Sequence, residues 1–411
     1  PYSFHNITQE LHQGIDNPII NVECLPYSIP FQLIIPPQDD NSNHDDTLFA
    51  FATHDIFVKL KISSGTEIQL NSYEGSTRLR LFVLLEPNNF KKSIIYLHPR
   101  VKSLFPSNSN ITVKKIIDTS KLLTATKTIL SRVGSWDQTQ KLYQDVILQN
   151  LKGFFASKKR VLKVNDLIPI TFNKSLVSLI SQETDLTRDF DSADDFLNDH
   201  DTLVWFKVTH SEVDNSPNKE DDDDSYDDNY MEEFIVDPVN TKLITSNIVQ
   251  VPSKMINSTK YDHFYGINET FIYDPIIFPY FKDLSNIVKS SFECLQRDIP
   301  VETFVLLNST SPNVGKSTLV KSIADKFSTH LIDLDCVSFS LNKISVDSIT
   351  KTVGFLKAKL EAVLPHIDSA ILYMSHLDVL FPPVDPNQDP NTAKISRILE
   401  LGLFNCIEDV M

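Results

Sequence analysis

Residues 306–327 read "LLNSTSPNVGKSTLVKSIADKF", and this stretch decides how the second half of the chain is read. An apolar run ends in a polar loop, and Gly315-Lys316-Ser317 then opens an amphipathic helix. The pattern approaches G-x-x-x-x-G-K-[ST], in which backbone N–H groups cradle phosphates at a helix N-terminus whose dipole favours negative charge. Its first glycine falls at position 310, where this chain has Thr310.

Strand and helix alternate on both sides of the loop. Upstream, "HFYGINETFIYDPIIFPYFKDLSNIVKSSFECLQ" (263–296) leads by a helix into a predicted strand "TFVLLNS" (303–309). Downstream come strand "HLIDLDC" (330–336), a helix, and strand "SAILYMSHLDVLF" (369–381). The alternation predicts a parallel sheet with helical crossovers. In such a unit Gly315 gives close backbone approach, Lys316 reaches the terminal phosphates, and the Ser317 hydroxyl sits on Mg²⁺. Backbone donors between 311 and 316 add to these, except at Pro312. The candidate ATP site is therefore Thr310, Ser311, Pro312, Asn313, Val314, Gly315, Lys316, Ser317 and Thr318, with Ser317 as the magnesium ligand. Threonine tolerates positive φ poorly, so the turn at 310 is expected to be distorted or to take another shape. Two readings stay open: a loop that holds nucleotide, and a vestigial loop with no ligand.

Hydrolysis asks for more than binding. It needs a carboxylate on the magnesium shell and usually a second one to polarise the attacking water. Both commonly end an apolar strand beside the loop. Strand "AILYMSHLDVLF" presents Ser375 and His376 there, and Asp378, two residues further on, is not expected to reach the same spot. Serine brings no negative charge and histidine is a poor substitute. The catalytic positions are thus expected to be silent.

The first half differs in character. "DIFVKLKI" (55–62), "RLRLFVLLEP" (78–87) and "SIIYLHP" (93–99) read as short strands bounded by Pro, Asn, Gly and Ser. A helix is predicted over 136–155, where Leu142, Val146, Ile147, Leu151, Phe154 and Phe155 recur at helical spacing. "VLKVNDLIPITF" (161–172), turning at Asn165-Asp166, and "DTLVWFKVTHSEV" (201–213) add two strands. Arg78 and Arg80 alternate on a strand and read as a solvated face, while Trp205 reads as core. Two acidic segments, about 181–201 and 212–233, read as solvated loops; four consecutive aspartates lack the spacing of a calcium loop.

Bulk properties agree. A length of 411 residues predicts two or three domains, and 41% hydrophobic residues with 26 Phe suffice for packed cores. The net charge of −16 argues against a nucleic-acid partner, since phosphate contacts need a basic face. Cys24, Cys294, Cys336 and Cys406 are scattered, which reads as reduced thiols in a cytosolic protein. Neither a signal peptide nor a membrane span is expected. Because the chain starts at Pro1 without an initiator Met, it is expected to be a piece of a larger polypeptide, with a processed mature protein as the alternative. No His or Cys cluster has metal spacing.

Here the residues carry a resemblance. From about 262 the chain resembles the large subdomain of an AAA-type ATPase, with Ile371-Leu372-Tyr373-Met374 followed by Ser375-His376 where that family has Asp-Glu. "KGFFASKKRVLKVNDLIPITF" (152–172) with "LVWFKVTHSE" (203–212) resembles the N-domain of the same group. More closely, "LRLFVLLEPNNFKKSIIY", "ILSRVGSWDQTQK", "TKLITSNI", "YGINETFIYDPIIFPY" and "PNQDP" are similar, in order, to yeast members of the peroxin-six family of peroxisomal AAA ATPases. The resemblance implies a mainly-β N-domain of double-psi-barrel type over 1–261. A degenerate, incomplete first ATPase domain with a parallel α/β sheet follows over 262–411. It also implies ATP and Mg as cofactors, and an alternating heterohexamer with the sister ATPase peroxin-one. A tail-anchored membrane recruiter would dock on the N-domain. The task implied is extraction of the ubiquitinated import receptor, from the cytoplasmic side of the peroxisomal membrane. Three functions are then in play: a nucleotide-binding but non-hydrolysing module, a nucleotide-free interaction scaffold, and an autonomous P-loop hydrolase, the last disfavoured by Ser375 and His376.

Overall fold

In the computed structural model the described residues are 18–27, 45–72, 75–84, 90–105, 111–116, 122–182, 200–213, 233–256, 259–267, 271–299, 301, 303–311, 314–337, 346–380 and 390–410. Alternating side chains build the first unit. Strands β1 (Ile19–Cys24), β2 (Phe49–Ala52), β3 (Thr66–Ser72), β4 (Gly75–Val83), β5 (Ile94–Leu97) and β6 (Ile111–Lys115) close into a barrel in the order β1-β5-β2-β4-β3-β6. On β4, Leu79 and Leu81 are buried in the barrel core, while Arg78 and Arg80 on the other face are half-buried. Closure leaves no strand edge in the ring.

The segment 55–62 corrects the sequence reading: it is helical, α1 (His54–Leu60). Ile56, Phe57 and Leu60 lie one turn apart on one face and pack into the barrel core, so the period is helical despite the strand-like composition. Lys61 ends the helix in the left-handed region at φ 54°, its N–H donating to the Phe57 and Val58 carbonyls.

A second sheet follows, from β7 (Leu123–Val133), β8 (Arg160–Leu162), β9 (Leu167–Phe172), β10 (Thr202–Val213), β11 (Phe234–Val236) and β12 (Lys242–Val249). Its order is β8-β11-β7-β10-β9, and β12 lies parallel beside β7. The predicted 136–155 helix is split at Gln140, whose extended ψ of 114° separates the turn Trp136–Thr139 from α2 (Lys141–Ala156). Tyr143, Ile147, Leu151 and Phe155, four residues apart, form the buried stripe of α2, and Leu142 stays outside it. Asn165 turns the chain with φ 75° between β8 and β9, and Trp205 is buried against Tyr261, ring centroids 4.6 Å apart. After β9 the chain forms helix α3 (Lys174–Gln182). Beyond α3 and the flanks of β10 and β11, the two acidic segments lie outside the described residues.

Barrel and second sheet are clasped by buried charge. Asp45 accepts from Arg160 Nη1 at 3.0 Å and from the Val161 N–H at 2.9 Å, while Arg100 Nη2 donates to Asp166 at 2.6 Å. Asp46 pairs with Arg160 and Lys158; burial opposes its charge, but those two cations outweigh burial and hold its carboxyl below the usual range. Beside the clasp His98 packs on Phe264 of helix α4 (Thr259–Tyr265), centroids 4.6 Å apart.

The last part comprises α5 (Pro279–Leu295), α6 (Lys316–Phe327), β13 (His330–Asp335), α7 (Val346–Val363), β14 (Ala370–Ser375) and α8 (Pro390–Val410). β13 and β14 pair in parallel from His330↔Ala370 to Asp335↔Ser375, as expected for a crossover. Two corrections apply. Residues 303–309, read as the strand before the loop, join no ladder, and Phe304, Val305 and Leu306 are exposed; apolar composition marks a strand but cannot supply its partner. β14 stops at Ser375, and Leu377–Leu380 form a helical turn instead of continuing it.

This part rests on the second sheet. Gly134, at the end of β7, meets the His366 backbone, and the Ser253 N–H donates to Asp368 at 3.0 Å. Trp136 packs into the core formed by Ile332, Leu356 and Leu360.

Candidate nucleotide site

Gly315 begins the site. It caps α6 in the left-handed region (φ 81°, ψ 25°), which side-chain-bearing residues rarely adopt, and its carbonyl accepts the Leu319 N–H at 2.9 Å. A Cβ placed there would lie 3.7 Å from the Tyr273 hydroxyl, so the glycine faces an aromatic neighbour. Tyr273 stacks on Phe281 at 5.2 Å and meets Phe271 edge-on at 4.7 Å. Leu319 and Ile323, one turn apart on α6, bury their side chains against Phe281 of α5 and so fix the direction of the helix.

Lys316 and Ser317 occupy the first two positions of the twelve-residue helix, half-buried and exposed respectively, with Thr318 also exposed. Thr310 and Ser311 are exposed loop residues. The distortion expected of Thr310 does not take the form of a left-handed turn, since it is not among the described non-glycine residues with positive φ. Val314 is exposed, and Pro312 and Asn313 lie outside the described residues. The twelve-residue helix thus presents the positive end of its dipole where Gly315, Lys316 and Ser317 stand.

β14 enters from the side. The Tyr373 hydroxyl lies 3.1 Å from the Ser317 hydroxyl, joining the strand to the first turn of α6. Two residues on, Ser375 makes a long 3.5 Å contact to the Leu334 carbonyl, and His376, at φ 55°, meets Asp335 at 3.0 Å through Nδ1. Asp378 lies in the following turn, exposed; with Asp335 it adds to the burial that pushes the Cys336 thiol up to about 11. Opposite Tyr373, Asp333 has its carboxyl raised by burial.

Positions 315–317 and the end of β14 are therefore brought together through Tyr373. Sequence reading missed Tyr273, Tyr373 and Asp335. The "IDLDC" run did carry Asp335, but only the parallel register puts it opposite Ser375. Among the described residues no group of three His, Cys, Asp or Glu could hold a metal. Phosphate fits the glycine-opened helix end. For magnesium the site offers the Ser317 hydroxyl, with no carboxylate at 375 or 376.

Comparisons with known proteins bear on the family. A family profile described as the PEX6 fourth domain matches residues 120–252, which include the second sheet. Another, the ATPase family associated with various cellular activities (AAA), matches residues 306–401. The chain is 38% identical over 392 residues to the peroxisomal ATPase PEX6 of Saccharomyces cerevisiae, covering 95% of this chain and 37% of that protein. It is 33% identical over 395 residues to the same-named protein of Candida glabrata and 32% over 393 to that of Eremothecium gossypii. The chain spans little more than a third of the length of these relatives, and among its described residues no helix is long and apolar enough to cross a membrane. Over the part it spans, the chain belongs to the PEX6 family of peroxisomal ATPases.

Proposed function

We propose that this chain is the partner-docking and nucleotide-holding part of a peroxisomal AAA ATPase, and that its own ATPase site binds ATP without hydrolysing it. One observation carries the reading: a helix opened by Gly315-Lys316-Ser317 lies beside a strand that ends at Ser375 and is followed by His376, with no carboxylate at either position. Backbone donors and the Lys316 ammonium supply binding, and Ser317 is the residue to hold Mg²⁺ with ATP; the bound metal would neutralise phosphate charge. Turnover lacks its acids, and the loss of a positioned base alone costs about 10²–10⁴ in rate.

Residues 1–261 serve as the adaptor, of double-psi-barrel type in its closed ring, and 262–411 as the degenerate ATPase domain. In the whole protein this part works within an alternating heterohexamer with the sister ATPase peroxin-one. The adaptor engages a tail-anchored recruiter at the cytoplasmic face of the peroxisome, and the assembly extracts the ubiquitinated import receptor for recycling.

Calorimetry of Mg-ATP binding beside phosphate release, on wild type and Lys316→Ala, tests the proposal. Binding by the wild type, its loss in the variant, and no phosphate from either are expected. Phosphate release that vanishes in Lys316→Ala would refute the silent site. A second reading, the nucleotide-free scaffold, is favoured by the exposed, unladdered 303–309 segment, which leaves the loop without a sheet anchor. Equal, negligible affinity in both proteins would establish it.

A further inference from the structure

A recess of about 300 Å³ opens between α2 and the second sheet. Arg132 of β7 lines it together with Gln138, Gln144, Thr245, Ser246 and Asn247. Its apolar floor includes Phe206 and Ile147. Among the described residues Arg132 has no carboxylate within salt-bridge distance. Half-buried, the guanidinium has lost part of its water without gaining an anion.

The strand over which it reaches is an edge. Among the described residues β12 pairs with β7 alone. Its register slips between Ser246 and Ile248, so Asn247 is an extra residue facing a single β7 position. Thr245, Ser246 and Asn247 are all exposed. An edge strand offers main-chain donors and acceptors to an added strand, and a neighbouring pocket selects the side chain.

We propose that this recess is a docking site for an extended acidic peptide, whose main chain runs along β12 and whose Glu or Asp carboxylate pairs with Arg132. Charge matching sets the class of ligand. One guanidinium neutralises one carboxylate in a fork-to-fork pair, whereas a phosphate dianion would keep an uncompensated charge on a chain of net charge −16. The amides of Gln144 and Asn247 can donate to the second carboxylate oxygen. Gln138 is fixed in place by donating to the Trp205 carbonyl at 3.2 Å.

The test is calorimetric titration of the full 411-residue chain at low salt with acetyl-Thr-Val-Glu-Val-Thr-amide, its Gln isostere, and glutarate. The Glu peptide is expected to bind at least tenfold tighter than the Gln peptide, and to lose that advantage against Arg132→Gln. Asn247→Asp, which places a carboxylate beside Arg132 while keeping the arginine, should abolish the preference as well. Unchanged melting temperatures in both variants would exclude unfolding as the cause, and should one of them unfold, the other carries the same comparison. Equal binding of the two peptides, no binding of either, or full binding by Arg132→Gln would overturn the proposal. Glutarate binding as tightly as the Glu peptide would also overturn it, by assigning the recess to free carboxylates.

Discussion

Gly134 lacks a side chain because His366 leaves no room for one. A Cβ at 134 would fall inside the contact shell of the His366 carbonyl oxygen, and backbone cannot step aside as a flexible side chain can. Gly134→Ala should therefore cost about 1–3 kcal/mol in denaturant unfolding. The loss is expected to appear in the packing of the ATPase part, read by fluorescence of Trp136, before the barrel is affected. Nothing in the sequence around 134 announced this role, since a glycine that avoids a distant backbone looks like any other glycine. Local chemistry was more legible. Gly315, Lys316, Ser317 and the substitutions at 375 and 376 could be read because neighbours along the chain define them. Tyr373 and Asp335 could not, because strand pairing and crossover packing bring them to the site.

Among elements, α1 shows where composition and period disagree. The run 55–62 is rich in strand formers, yet Ile56, Phe57 and Leu60 share one face only as a helix. Its last link is strained: Lys61 holds φ 54° with a Cβ in place. Lys61→Gly should raise stability by about 0.5–1 kcal/mol in chemical denaturation, an effect that a strand at this position would not give. The unladdered segment 303–309 is the converse case. Its side chains read as a strand, but a strand is completed by a partner and not by its own residues. By contrast β4, β5, β9 and β10 were legible because each alternates or ends at turn residues that its neighbours respect.

For the molecule as a whole, pH acts through the junction of barrel, second sheet and α4. Burial, with the Arg100 charge adding to it, drives His98 down to about 3. A native pKa below the unfolded value of about 6.5 means the unfolded chain binds the extra proton between those limits. Stability from this group is complete above pH 6.5 and is lost as pH falls toward 3. Between pH 6.5 and 5 the loss amounts to about 2 kcal/mol at most, at about 1.4 kcal/mol per unit. His98 accepts from the Arg100 N–H at 3.1 Å, a role that asparagine can keep. Urea unfolding of His98→Asn should thus show a flatter pH profile than wild type over this window. Asp46, held low, should matter only below about pH 4, where its usual range begins.

β14 has two ends with different duties. Just before it, residues 366 and 368 bear on Gly134 and Ser253 beside the second sheet; within it, Tyr373 touches Ser317 at the start of α6. Between them run the first four residues of the strand, Ala370–Tyr373, about 13 Å of hydrogen-bonded backbone. A strand in a ladder neither stretches nor folds, so it behaves as a pushrod. Paired changes at Tyr373 and Gly134 should therefore be non-additive in a double-mutant cycle, and additive losses would show that the strand transmits nothing.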